Sequence, residues 1–175
     1  MRGFTLLEQM VVLSIVSIVF FIAVPSYTNY LQKNRSNVMA NQLVTDLNLA
    51  RVNALSSGTA VTLCPWDAAQ PNVCAQTPNW EKGWVAYSSP SNETSWTSGT
   101  QISESHYEQW TGVMLMLTPA TMKQVVFNSL GALQSEPFTL IFQPKECLGE
   151  QAQMVTVSES GSVNLVNVAC VAQSS

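Results

Sequence analysis

Ionisable side chains are what this sequence has least of. Charged residues make up 10% of its 175 residues, against roughly 25% in an average soluble domain. Eleven Asp and Glu outnumber seven Lys and Arg, for a formal charge of −4. Removal of the first three residues, which include Arg2, makes it more negative by one charge. A field of that sign does not draw nucleic acid, so only a local basic patch could hold phosphates. None of the four cysteines lies in a Cys-x-x-Cys pair, which argues against a zinc ribbon or a thioredoxin-like site. There is no Gly-x-Ser-x-Gly elbow, and Gly161-Ser162 lacks that context. No glycine-rich loop is built to cradle phosphates. Neither an internal repeat nor a strand–helix alternation is present, which excludes a parallel-sheet architecture. No enzyme chemistry, cofactor or metal is implied.

What the chain does have is one long apolar run, Phe4 to Val24, interrupted by Glu8 and Gln9. About 20 apolar residues cross a bilayer core as a helix. A cleaved secretory signal is one reading, but it leaves Glu8 inside the apolar region and offers no A-x-A-like site before Pro25. An ordinary transmembrane anchor with Glu8 at the interface is another. Neither explains an acid so soon after Phe4, because an ionisable group in apolar surroundings is costly without a partner. A free amine made by cutting between Gly3 and Phe4 is such a partner. Within one chain it stands one helical turn from Glu8; between chains the same pair fixes register.

Beyond Pro25, which removes a helix hydrogen bond and favours a kink, Met39, Leu43, Leu47, Ala50 and Ala54 recur at spacings of four, four, three and four. That is one apolar helix face. Lys33, Arg35, Asn37, Asn41, Asp46 and Asn48 mostly fall off it. Ser57-Gly58 supplies the stop. The pattern predicts one helix from about Phe4 to Ser56, roughly 80 Å long. After Gly58 come short alternating or β-branched runs: 59–63, 83–87, 113–118, 124–128, 138–142, 154–157 and 162–168. The Ser/Thr/Asn-rich stretch from Ser88 to Glu104 reads as loop. The expected fold is α+β, an amphipathic helix laid on an antiparallel sheet. The expected divisions are residues 1–3, a short leader; 4–26, a hydrophobic helix; and 27–175, a head domain.

Arg2-Gly3-Phe4-Thr5-Leu6-Leu7-Glu8 resembles the prepilin signature: a short basic leader ending in Gly, then Phe, then Glu at the fifth mature position. The resemblance implies the pilin fold, cleavage after Gly3 by a prepilin peptidase and N-methylation of Phe4. It also implies that Glu8 neutralises the Phe4 amine of a neighbouring subunit, and that Pro25 kinks the helix. The head carries a second likeness. Thr62-Leu63-Cys64-Pro65, Trp80 with Gly83-Trp84-Val85, and Phe127 with Gly131 resemble the minor pilins FimT and FimU and the type II secretion pseudopilin GspH. What this implies is a minor subunit that primes or joins a type IV pilus or a secretion pseudopilus. Its partners would be other major and minor pilins or pseudopilins. It would wait in the bacterial inner membrane, a single pass with its head in the periplasm, and end near the fibre tip. The alternatives are a FimT-like DNA receptor for natural transformation and a tip adhesin. FimT-like DNA binders use a Gly-Arg-x-Arg segment. The matching stretch here is Gly161-Ser162-Val163-Asn164, with both arginine positions lost and no Lys or Arg after Lys145. DNA binding is therefore disfavoured, and would have to rest on Lys82, Lys123 or Lys145.

The remaining candidates are weaker. An even cysteine count behind an export-type N-terminus points to disulfides. Cys64, Cys74, Cys147 and Cys170 allow three pairings, of which proximity favours Cys64–Cys74 with Cys147–Cys170 tying down the C-terminus. His106 is flanked by Glu104 and Glu108, which share a strand face; a metal or acid–base trio competes there with a solvated edge. Trp66, Trp80 and Trp84 are expected to pack beside the cysteine loop. Trp96, in a polar stretch, is the better candidate for an exposed contact. Asn92-Glu93-Thr94 matches a glycosylation sequon, a triplet that also arises by chance.

Overall fold

Helix α1 spans Leu6–Ser57 and is closed at both ends by its own sequence. Thr5 is the N-cap, its hydroxyl accepting the Glu8 N–H at 3.3 Å. Thr5-x-x-Glu8 has the spacing of a capping box, and the acid sits at the positive end of the helix dipole. At the other end Gly58 adopts φ 66° and donates its N–H to the Ala54 carbonyl at 3.1 Å, the left-handed cap that a Cβ disfavours. The computed structural model describes residues 5–67, 74–75, 77–88, 100–106, 113–145, 147, 149 and 151–171. The side chains of 22–26, 28, 29, 100, 106 and 114 lie outside that description.

The two halves of α1 meet different surroundings. Met39, Leu43, Leu47, Ala50 and Ala54, the stripe expected from spacing, are all buried. The first half buries nothing described. Among the described residues no helix is long and apolar enough to cross a membrane. The expected span over 4–26 includes Phe4 and residues 22–26, which fall outside the described residues or side chains, and the described apolar side chains stop at Phe21. α1 continues through Pro25.

Among the described residues eight strands form two four-stranded antiparallel sheets, where the sequence called for one. They are β1 (Val61–Pro65), β2 (Gly83–Ser88), β3 (Thr100–His106), β4 (Val113–Thr118), β5 (Val125–Phe127), β6 (Phe138–Pro144), β7 (Ala152–Val157) and β8 (Val163–Val168). The first sheet runs β3-β2-β1-β5 and the second β4-β6-β7-β8. β3 corrects the loop expected up to Glu104. It pairs with β2 from Gly83↔His106 to Ser88↔Thr100, across a shift at Ala86/Tyr87.

The sheets differ in how their faces are covered. The first is buried on both sides at β1, β5 and most of β2, while its edge strand β3 exposes Gln101 and Glu104. Val61, Leu63, Trp84 and Ala86 join the core beneath α1, while Cys64, Val85 and Tyr87 pack with Cys74 on the other face. That is why β1 and the start of β2 show no polar alternation. The second sheet is covered on one side. Phe138, Leu140, Phe142, Val155 and Val157 enter the core, and Thr139, Ile141, Met154 and Thr156 alternate outward. Its four strands contain no ionisable side chain.

One charge is buried where the helix meets the first sheet. Asp46 is 3% exposed, although sequence reasoning set it among the polar positions off the stripe. Its carboxylate accepts Trp84 Nε1–H at 2.7 Å, Ser105 Oγ–H at 2.9 Å and the Gln42 amide at 3.3 Å. Three donors on α1, β2 and β3 thus converge on one acceptor, which is how a buried carboxylate is made tolerable. Asp46→Ala removes that acceptor and is expected to destabilise the head by about 2–4 kcal/mol, since bonds to a charged group contribute more than neutral ones. Urea unfolding followed by tryptophan fluorescence measures it; an unchanged midpoint would show that the convergence contributes nothing.

Candidate assembly surfaces

Apolar side chains surround the first half of α1. Leu6, Leu7, Met10, Val11, Val12, Leu13, Ile15, Val16, Ile18, Val19, Phe20 and Phe21 are all exposed, Leu6 to 79% and Phe21 to 87%. Successive residues on a helix point 100° apart, so consecutive apolar residues leave no polar side. Covering one such side chain is worth about 1.5–3 kcal/mol, and the described residues of this chain supply no cover. The second half adds an outward apolar line opposite the buried stripe. Val38, Leu49 and Val52 are exposed, and the step of eleven positions from 38 to 49 makes about three turns. Glu8 is exposed at the head of this surface. Its expected partner Phe4, with Gly3, lies outside the described residues.

The base of the helix is tied to the head by Arg51. Its Nε donates to the Gly131 carbonyl at 2.9 Å and its Nη2 to the Ser160 carbonyl at 3.0 Å. Gly161 stands in the same knot with φ 76°, and a Cβ there would lie 2.1 Å from the Gly131 oxygen. The segment that matches the Gly-Arg-x-Arg pattern therefore opens on a glycine required by packing. Ser162 and Asn164 take the arginine positions. Lys82 ends the short helical turn Trp80–Lys82, Lys123 precedes β5 and Lys145 follows β6, all exposed and on three separate connections.

The other candidates resolve as follows. The disulfides are Cys64–Cys74 and Cys147–Cys170, the pairs favoured by proximity. Trp66, Trp80 and Trp84 are buried, but the last two belong to the core under α1 rather than to the cysteine face. Trp80 stacks on Phe138 with ring centres 6.5 Å apart and donates Nε1–H to the Met122 carbonyl. Trp84 meets Phe142 edge-on at 6.4 Å. The disulfide is accompanied instead by Val85 and Tyr87. Glu104 and His106 stand on β3, where the Gln101 amide donates to Glu104 at 2.6 Å. Glu108, Trp96 and the Asn92-Glu93-Thr94 triplet lie outside the described residues. Among the described residues no group of three or more His, Cys, Asp or Glu could hold a metal. A groove of about 440 Å³ between the Thr77–Glu81 segment and strands β4 and β6 has apolar walls in Trp80, Leu115, Leu117 and Leu140.

Residues 39–161, more than half of the chain, match the family described as type II transport protein GspH. The chain belongs to the GspH family. A search of curated protein sequences returns no match. Among solved structures, the fold is similar to the type IV minor pilin FimU of Pseudomonas aeruginosa PAO1. The TM-score is 0.58 at 14% identity, covering 78% of this chain and 92% of that one. It is also similar to EpsH, the minor pseudopilin of the type 2 secretion system of Vibrio cholerae. There the TM-score is 0.50 at 18% identity, covering 75% and 96%. At such identities the structures establish a shared pilin fold, a long helix on an antiparallel head. The family is one of pilin-like structural subunits, not enzymes.

The Arg51 knot gives this family member a test of its own. Gly161→Ala is expected to cost about 3 kcal/mol, combining left-handed backbone strain with a clash against a carbonyl. Gly58→Ala, at a similar φ with nothing within 4 Å of the added carbon, is expected to cost about 1 kcal/mol. Equal losses in parallel urea titrations would mean that the close approach to Gly131 is not a constraint.

Proposed function

We propose that this chain is a minor subunit of a type IV pilus or a type II secretion pseudopilus, and that it joins or primes the fibre through α1. The observation that carries the reading is the apolar surface of α1 from Leu6 to Phe21, exposed on every side and left uncovered by the described residues of its own chain. Such a surface needs lipid or other apolar helices around it. The full apolar run of the sequence, Phe4 to Val24, has the length for inner-membrane storage before assembly. Pro25 then marks the turn from that run to the head-bound half of the helix. The outward line of Val38, Leu49 and Val52 extends the same contact along the fibre, beside neighbouring pilins or pseudopilins.

Processing sets the starting geometry. A prepilin peptidase removes residues 1–3, leaving Phe4 as an N-methylated amine. Glu8, near the helix start and exposed, pairs with that amine on a neighbouring subunit. The pair fixes register because a carboxylate in apolar surroundings must find a cation. Assembly is the mechanism, with no turnover involved. DNA capture fits less well. Arg51 is turned onto backbone carbonyls, and the segment at Gly161 offers uncharged Ser162 and Asn164.

Glu8→Ala is expected to leave the amount of protein and its membrane fraction unchanged while lowering its entry into sheared fibres about tenfold, the effect of losing one charge-assisted contact. Wild-type incorporation by immunoblot would remove the pairing from the mechanism. In a gel shift at low salt the full chain in neutral detergent is expected to leave duplex DNA unretarded; retardation abolished by added salt would restore the receptor reading.

A further inference from the structure

On the second sheet, strand alternation sends odd-numbered residues of β6 and even-numbered residues of β7 outward. Thr139, Ile141, Met154 and Thr156 obey it and are part-exposed. Gln143 and Ala152 occupy the next outward positions, yet both are fully buried. The segment after β8 bonds to Gln143 there, and Ala152 is paired with Val168, the last residue before that segment. Gln143 Nε2 donates to the Val171 carbonyl at 3.2 Å, and the Val171 N–H donates to Gln143 Oε1 at 3.0 Å. One side-chain amide thus does the work of a strand partner, making both bonds of a ladder rung. Cys170 N–H donates to the Gly149 carbonyl at 2.9 Å, and Cys170 is bonded to Cys147. Among the described residues the strap is therefore held by one disulfide and a few hydrogen bonds, and Val171 is 39% exposed.

The two disulfides stand in unlike surroundings. Cys64 and Cys74 are buried against Val85 and Tyr87, with the Tyr87 hydroxyl 3.5 Å from the Cys74 sulfur. Cys147 and Cys170 are both part-exposed. Thiol–disulfide exchange needs a thiolate to reach a sulfur in line, so access separates the two bonds.

We infer that Cys147–Cys170 is a redox latch on a C-terminal strap. A dithiol reductant opens it in the folded head while Cys64–Cys74 stays closed, and opening uncovers Gln143 and Ala152. In the exchange a reductant thiolate attacks one sulfur of Cys147–Cys170, forming a mixed disulfide and releasing the other cysteine as a thiolate. The second reductant thiol then displaces the protein sulfur. The protein gains two electrons and two protons as two thiols, and the reductant leaves as its own disulfide. With the latch open, Gln143 exchanges its Val171 partners for water, and the uncharged outward face of the second sheet extends to the end of β6 and β7.

The test uses the full oxidised chain in neutral detergent, titrated with dithiothreitol and quenched with iodoacetamide. Peptide mass spectrometry is expected to show Cys147 and Cys170 alkylated at least about tenfold faster than Cys64 and Cys74, the access difference expressed as a rate. Deuterium uptake in peptides covering 139–145, 151–155 and 169–171 should rise when only the latch is open, and uptake in β1 and β2 should not. Gln143→Ala, which keeps both disulfides, is expected to speed reduction of Cys147–Cys170 alone. A Cys147→Ser/Cys170→Ser chain should show the raised uptake without reductant. Simultaneous reduction of both bonds would overturn the latch, as would selective reduction with no change in uptake over 139–155.

Discussion

One helix has to satisfy two surroundings, and the rest of the molecule is arranged around that demand. The second half of α1 carries a single buried stripe, from Met39 to Ala54, and both sheets close over it. The first half carries apolar side chains on every side and cannot be satisfied by any head packed against one face. Because the helix is continuous from Leu6 to Ser57, whatever grips its first half also positions the head. The fixings at the helix–head junction are correspondingly polar and directional: Asp46 gathers donors from the first sheet, and Arg51 reaches carbonyls beside Gly131 and Ser160. Apolar packing alone would let a smooth helix rotate or slide within its groove; these bonds set its rotation and its height.

The helix and the second sheet were legible in the sequence because each obeys one period. The four-four-three-four spacing named the residues that are buried, and one-sided covering left a clean alternation in β6 and β7. The first sheet was harder to read. Covered on both faces, β1 and β2 show no alternation of apolar and polar residues, and their place opposite β3 and β5 depends on contacts far apart in sequence. β3 was hidden by its composition. Of Gln101, Ile102, Ser103, Glu104 and Ser105, Ile102 alone is apolar and packs against the hydrophobic core, so the strand looks like the polar stretch before it. Asp46 carried a signal that could have been used. Met39, Leu43, Asp46 and Ala50 are spaced four, three and four, so the acid lies on the flank of the buried stripe, and a charge at that position calls for buried donors.

The surfaces that matter for assembly were legible to different depths. Proximity in sequence favoured the cysteine pairs that are present, yet it placed Trp80 and Trp84 with the wrong neighbours. Adjacent residues of a strand face opposite sides, and that parity, not nearness to Cys64, sends Trp84 under the helix and Val85 to the disulfide. The stretch beginning at Gly161 shows a motif position retained for a different reason. Its glycine is required by the approach to Gly131, whatever the two following positions carry. The family is shared with GspH, and the fold with FimU and EpsH.

The four strands of the second sheet carry no ionisable side chain, and this governs how that face of the head behaves in different media. A surface with nothing to titrate keeps the same potential from acid to alkaline conditions, and counterions have no charge on it to screen. Whatever touches its outward rows of threonine, methionine, isoleucine, valine and Asn164 is chosen by shape, by uncharged hydrogen bonds and by the removal of water. The strength of such a contact would follow temperature, through the heat capacity of apolar hydration, far more than it would follow acidity.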